Sequence, residues 1–549
     1  MFKLLIPLLF IGVFTLNCKA DDIPLKIAVV QEFGQFNPIT LNLASTESFL
    51  HFVLRGLTAQ DDKGVLIPDL ADSIPSLKNK MAQIITDKST QKIKAHWTIK
   101  KNAAWSDGKP VICQDWWLGW QAGLSANTMT QEKTLYSKIE KIEWTAQDPK
   151  KCSVTYTTSS WAFDRDLPYP IPYHLENAIF EKWKNQKEAY DQNSIYVTAP
   201  AMPGLYNGPY VVEDFKLGSH FILTPNKYFF GEKPKILKIS VQHMGEANSL
   251  QAHLKTKSIN MISAVGFPPD MAFSFADAEK DSDFKVFFQD SPIFQGLFLN
   301  HESPMLSDIK IRKALSLAID RKKLTEAFFG GKLKPAETFI PPNFPEFVAR
   351  KPTFNRADAK KILDADGWII SSDKKIRSKN GKDLIIDFKT SSGIKILETI
   401  QVFICSEFAQ IQVGCSIKNQ PPRILLGDTI SKGEFEMAMF GNSILPDTSL
   451  TSMFSSKEIP TKKNSWTGAN NLRWKSAKAD QLLLAFDQEP NRSKRSQILK
   501  DLEKEILDQV AFIPVYHRRE AAVIPKTLTG LNYLGKGTNF MFPERWKLP

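Results

Sequence analysis

The chain has 549 residues, 42% of them apolar and 24% charged, which is longer than one core usually serves, so two or three globular domains are expected. The formal net charge is +12, yet Lys and Arg are scattered with no basic block longer than two or three residues. That argues against nucleic acid as a partner and for a dispersed solubilising surface.

The chain opens with Met1-Phe2-Lys3 and an apolar run over 4–16, too short to span a bilayer and the right length for a signal-peptide core. The segment 1–20 is therefore read as an export signal. The run ends at Thr15-Leu16-Asn17-Cys18, and a Cys at that place resembles a bacterial lipoprotein box. Thr15 and Asn17 stand where that box usually has Leu and Gly or Ala. Two endings stay open: lipidation at Cys18, or ordinary cleavage near Ala20. In an exported chain the other four cysteines can pair. Cys113 and Cys152 would join two elements of one predicted lobe. Cys405 and Cys415 lie ten apart across a predicted helix, roughly 15 Å and out of bonding reach. At most one disulfide is expected, and no spacing fits a zinc site.

A strand over 26–30 is followed by the Phe36-Asn37-Pro38 turn and a helix over 48–57. The segment 64–73 reads G-V-L-I-P-D-L-A-D-S. In 96–111, Trp97, Ile99 and Trp105 mark a strand with one buried face, and Ser-Asp-Gly-Lys-Pro supplies turn chemistry. Asp115 and Trp116-Trp117 open a helix, and alternation over 153–157 gives the closing strand. Asn207-Gly208-Pro209-Tyr210 brings the chain back, followed by 223–229 (L-T-P-N-K-Y-F), a buried strand over 236–242 and a helix around 247–255.

An apolar run, 297–299, ends at Asn300; Ser307 or Asp308 then caps a helix. Ile309, Ile311, Ala314, Leu315, Ala318 and Ile319 form its core-facing stripe, with Lys310, Arg312, Lys313 and Arg321 expected in water. Later come a Gly-capped helix at 359–368, a strand at 384–390, a helix at 396–411, a strand at 415–418 and another at 435–440. Strand–helix–strand alternation implies parallel pairing. Helices over 479–486 and 495–510 precede Ile513-Pro514-Val515-Tyr516. No internal repeat is found.

The stretch 298–321 closely resembles the signature of the periplasmic solute-binding proteins of the peptide/nickel ABC-importer family. It has an Asn-ending strand, a Pro-x-x-x-Asp turn and R-x-A-L-x-x-A-I-D-R. The G-x-L-x-P-x-L-A, W-S-D-G-K-P-V, G-P-Y, N-x-x-Y and I-P-V-Y segments resemble the same family in the same order. The resemblance implies an α/β, two-lobed periplasmic binding protein fold (type II, large cluster with an extra subdomain) with hinge-linked lobes around a ligand cleft. Lobe I would comprise 21–65, an extra subdomain at 66–202, then 203–295 and 514–549. Lobe II would be 296–513, with crossings near 294–298 and 514–517 as the hinge.

An enzyme needs a constellation that is missing: there is no G-x-S-x-G, H-E-x-x-H or Walker loop, and the eight His residues are isolated. The expectation is a non-enzymatic, cofactor-free monomer that passes peptides or peptide-like solutes to an ABC permease and ATPase. The same fold could instead bind a non-peptide ligand or act as a sensor or surface lipoprotein. By matched position the resemblance makes Asn42, Ala44, Phe294, Gln295, Phe440, Asn442 and Trp466 cleft-lining candidates. Peptide binders of the family hold the ligand's α-amino group with an Asp after the 435–440 strand. Here that place holds Ser443, and a hydroxyl cannot make the charge-assisted bond. Asp447 could replace it only in a rebuilt loop.

Overall fold

The computed structural model describes residues 24–549 apart from 42, 62–64, 88–89, 131–132, 166, 247–248, 266, 279–281, 343–346, 351–352, 371–374, 444–448, 465, 467 and 532–539. The export segment 1–20 with Cys18, the cleft candidate Asn42, and Asp447 lie outside these described residues.

Strand β1 (Leu25–Val29) is buried at four of its five positions, as befits an apolar run covered on both faces. The helix expected over 48–57 is instead two single turns, α1 (Ala44–Glu47) and Leu50–Val53. Phe49, Leu50, Phe52, Val53 and Leu54 are all buried, so packing on every side overrides helical periodicity there. β2 (Ala82–Asp87), β3 (Thr90–Thr98), β4 (Ile139–Glu143) and β5 (Lys151–Tyr156) form a separate antiparallel sheet in the order β2-β3-β5-β4. Ile93, Ala95 and Trp97 alternate inward from β3, and Trp97 meets Trp116 of helix α2 (Cys113–Leu124) edge-on at 6.0 Å. The buried carboxylate of Asp115 accepts from Ile112 N, Tyr173 N and Trp105 Nε1; burial pushes its pKa up to about 6. Cys113 at the head of α2 is bonded to Cys152 on β5, with a Cα separation of 5.6 Å.

The second sheet has ten strands. They are β1, β6 (Tyr210–Lys216), β7 (His220–Pro225), β8 (Ile239–His243), β9 (Met261–Ile262), β10 (Phe284–Leu299), β11 (Ile385–Thr390), β12 (Gly414–Ile417), β13 (Met437–Ser443) and β14 (Phe512–Pro525), ordered β12-β11-β13-β10-β14-β9-β1-β8-β7-β6. As alternation predicts, β11 pairs parallel with both β12 and β13. The long antiparallel pair β10–β14 runs through the middle and carries the sheet from one half to the other. One core lies under β1 and β6–β8 and reaches the small sheet; a second surrounds the helices that cover β10, β11 and β13.

Those helices begin at the signature. Asn300 donates from Nδ2 to the carbonyls of Gly433 and Phe435, tying the end of β10 to the chain entering β13. Asp308 caps helix α3 (Ile309–Ala318) by accepting from Lys310 N at 2.8 Å. Two residues expected in water are buried: Arg312 and, at the start of α4 (Arg321–Phe329), Arg321. Arg312 donates to the carbonyls of Leu306, Ser307, Gln509 and Val510, satisfying the groups that follow the end of a later helix. Arg321 donates from Nε to the Pro514 carbonyl on β14 at 2.7 Å. A guanidinium can be buried where its fork of donors meets fixed carbonyls. The lysines on either side of Arg312, Lys310 and Lys313, are exposed.

Cys405 and Cys415, expected to be out of reach, form a second disulfide with Cα atoms 5.8 Å apart. Helix α5 (Lys395–Ala409) stops before the helical reading required. Val413 N bonds back to Phe408 O, with Gln412 at φ +57, so the chain reverses and β12 returns beside the helix. The last two helices, α6 (Ala477–Gln488) and α7 (Arg492–Asp508), pack on the opposite side of the central strands.

Candidate ligand-binding site at the crossing strands

The ladder between β10 and β14 is regular over Phe284–Asp290, then breaks: Ser291, Pro292 and Ile293 stand opposite Arg518 alone, and a second, smaller shift follows between Gln295 and Gly296, where Val515 is the extra residue. Pro292 has no N–H to give, so the break falls where the ladder can lose a bond at least cost. This interruption lies at the point where the two long strands pass between the halves of the sheet.

Beside it, β13 pairs with β10 along its whole length, from Leu299↔Met437 to Ile293↔Ser443. Its other edge pairs with β11 only as far as Thr390↔Met439. Among the described residues, Phe440, Gly441, Asn442 and Ser443 therefore present an edge without a β-strand partner, with Gly441 and Ser443 exposed. Unpaired strand edges are templates for another extended chain.

Side chains alternate across these strands. One face is aromatic: Phe298 stacks on Phe440 with centroids 3.9 Å apart, and Phe294 and Phe512 complete the group. Asn442 lies opposite Phe294 in register. Phe294 itself is fully buried, so its ring is part of this packing. The other face carries Ile293, Gln295, Gly441, Ser443 and Arg518. A Cβ at Gly441 would meet Ile293 Cγ2 at 3.1 Å, Gln295 Oε1 at 3.3 Å and Arg518 Nη1 at 3.5 Å. Gln295 is 2% exposed, and its Nε2 is buried without a hydrogen-bond partner.

The charges around the ladder break are mixed. Asp290 lies 3.4 Å from Arg519 and 3.7 Å from Lys334, while buried Glu520 accepts from Ser291 Oγ at 2.8 Å. Burial lowers His517 to about 4, keeping the ring neutral. Of the remaining candidates, Ala44 is exposed at the start of α1 in the other half of the molecule. Trp466 is half-buried in a turn, at φ +61, with its N–H bonded to Thr461 O. Sequence reasoning gathered Phe294, Gln295, Phe440, Asn442 and Ser443, which the register of β10 and β13 does place together. It missed Gly441 and Arg518, although the polar run His517-Arg518-Arg519-Glu520 between two apolar stretches of one strand was the available signal.

On the far side of the aromatic face, Trp161 projects from a short 3-10 turn (Trp161–Asp164) in the segment after β5. It is 3% exposed, lies edge-on to Phe486 of α6 at 5.7 Å, and sits under the Arg495 guanidinium of α7 at 4.1 Å. Ser159 Oγ also reaches the Gln488 carbonyl at 3.5 Å.

Residues 65–460 match the family of bacterial extracellular solute-binding proteins, family 5. The chain belongs to that family. Its members are binding proteins rather than catalysts, in keeping with a site built of a strand edge, an aromatic face and polar side chains. The oligopeptide-binding protein AppA of Bacillus subtilis is 22% identical over 498 residues, covering 89% of this chain and 85% of that one. The periplasmic murein peptide-binding protein MppA of Escherichia coli is 22% identical over 499 residues, covering 87% and 84%. Among solved structures, AppA from Bacillus subtilis with a nonapeptide superposes with a TM-score of 0.74 at 20% identity, covering 96% of this chain and 99% of that one. NikZ from Campylobacter jejuni in complex with Ni(L-His) gives 0.73 at 19%, covering 95% and 99%. The family 5 fold is thus that of this chain, a two-lobed α/β binding protein. Among the described residues no helix is long and apolar enough to cross a membrane.

Proposed function

We propose that this family 5 protein binds a peptide or peptide-like solute outside the cytoplasm and delivers it to an ABC permease and its ATPase. The observation that carries the reading is the unpaired edge of β13 at Phe440–Ser443, one strand away from the break in the crossing pair. An extended ligand adds to such an edge through main-chain hydrogen bonds, and neighbouring side chains select it. The interruption at Ser291–Ile293 serves as the hinge, and closure of the two halves excludes water and strengthens each polar contact. In this reading lobe II spans 296–513, inserted between lobe I segments that include the subdomain at 66–202. Ala44 faces the ligand from lobe I; Gln295, Phe440, Asn442, Ser443 and Trp466 face it from the other side. The protein acts as a monomer, exported by the segment 1–20, which ends either in lipidation at Cys18 or in ordinary cleavage near Ala20.

The test is native mass spectrometry of protein purified without refolding, followed by identification of what denaturation releases. A ladder of short peptides supports the reading. A single non-peptide mass keeps the fold and replaces the substrate.

A further inference from the structure

We propose that Arg518, together with Gln295, receives an anionic group of the ligand, so that this cleft selects acidic or acid-blocked solutes and rejects a free ammonium. The inference rests on the binding-cleft reading and specifies its substrate class.

The argument begins with geometry. Arg518 is on β14, two strands from the open edge, yet its Nη1 comes within 3.5 Å of where a Gly441 side chain would start. Its side chain therefore crosses β10 and lies above Gly441, beside the edge that a ligand strand would join. Absence of a side chain at Gly441 is what leaves this space open. The side chain of Arg518 is 31% exposed, so the charge is accessible. Its other terminal nitrogen, Nη2, leans toward Glu520 Oε1 at 3.8 Å, and that oxygen already accepts from Ser291. Glu520 thus orients the guanidinium and leaves Nη1 turned toward the cleft.

Gln295 is a second, independent observation. Its Oε1 reaches the same point above Gly441, and its Nε2 is buried without a partner. A buried amide donor left unmade costs free energy, which an acceptor oxygen of a bound ligand would recover. It is the amide oxygen of Gln295 that reaches this place; a half-turn of the amide exchanges it for the unpartnered Nε2, and that N–H beside the Arg518 guanidinium then forms a donor set for a carboxylate or a similar oxyanion. An ammonium there would face Arg518 with Ser443 as its nearby hydroxyl, and like charges at close range disfavour it.

The experiment compares three tripeptides of alanine by titration calorimetry on the ligand-stripped protein: free-amine, N-acetylated and N-succinylated. The succinylated form is expected to bind best, at least tenfold tighter than the acetylated form, with the free amine weakest. Arg518→Gln should bring the ratio of succinylated to acetylated affinity from at least tenfold down to about one. Retention of the preference in Arg518→Gln overturns the assignment. So does tightest binding of the free amine, and loss of that binding in Asp447→Asn would then identify the carboxylate responsible. If none of the three binds, the compound released from the purified protein decides. An anionic compound whose retention falls in Arg518→Gln upholds the inference while the peptide reading fails. A neutral or cationic compound, unchanged retention, or no compound at all overturns the inference.

Discussion

The contact between Trp161 and Arg495 gives the sharpest test of closure. Trp161 belongs to the segment following the small sheet, whereas Phe486 and Arg495 lie on α6 and α7 beyond the crossing strand β10. A guanidinium 4.1 Å from an indole centroid, with Arg495 only 8% exposed, is a desolvated cation–π pair worth about 1–2 kcal/mol. The edge contact with Phe486 adds about 0.5–1.5 kcal/mol. Arg495→Gln should therefore shift the closed-to-open ratio by about 1–2 kcal/mol, roughly 5- to 30-fold. Apparent affinity falls with the fraction of protein that can close, so ligand binding weakens by up to that factor. Calorimetry measures the affinity, and small-angle scattering of the ligand-free protein measures the closed fraction. Arg495 also donates to the Glu489 carbonyl, so a thermal melt separates closure from loss of the helix start. Unchanged affinity and scattering, with only a lower melting temperature, would refute the idea that this contact holds the halves together.

Ser443→Asp should restore a charge-assisted partner for a free amine, worth about 1.5–3 kcal/mol, and raise free-amine peptide affinity about 10- to 150-fold; no gain in calorimetry means Ser443 does not face the ligand terminus. Loss of the Cys113–Cys152 bond, which closes 39 residues, should cost about 4 kcal/mol, against about 2.7 for the ten-residue Cys405–Cys415 loop. Denaturant melts of the two Cys→Ser pairs check that order. His301 is half-buried and lowered to about 4, by desolvation first and then by Arg312, while its Nε2 meets the Ala511 carbonyl at 2.9 Å. Below about pH 6.5 the unfolded chain takes a proton that the folded ring refuses down to about pH 4, so this group's share of stability is lost as pH falls through that window. His301→Gln should flatten the pH dependence there by up to about 1.4 kcal/mol per pH unit. An unchanged slope in melts between pH 4 and 6.5 would place the titration elsewhere.

How much of this was legible depends on whether a residue's fate is decided locally. Asp308, β3 and the parallel pairs of β11 follow from caps, alternation and element order, all readable in short windows. Arg312 and Arg321 were misread because an Arg on an amphipathic helix normally stays wet. Their burial depends on carbonyls at 306–307, 509–510 and 514, which no local pattern brings alongside. Cys405 and Cys415 were misread for the converse reason: a reversal of a few residues at Gln412 replaced the continued helix, and 10 residues of rise became a hairpin-like return.

The site divides in the same way. Register placed Phe440, Asn442 and Ser443 beside Phe294 and Gln295 because the strand β13 was recognisable, but its open edge exists only where β11 stops short. After Thr390 the next β11-side contact is Ser391 with Gln420, so that chain leaves β13 four residues before the strand ends at Ser443. A strand edge is defined by the neighbour that departs, and a departure leaves no mark in the residues left behind. Arg518 is hidden by the same geometry, since its role depends on crossing above Gly441, whose lack of a side chain reads in sequence as flexibility. In the proposed reading, selectivity is set by pairing and by reach across strands, so relatives with the same fold can hold different ligands without rebuilding the sheet.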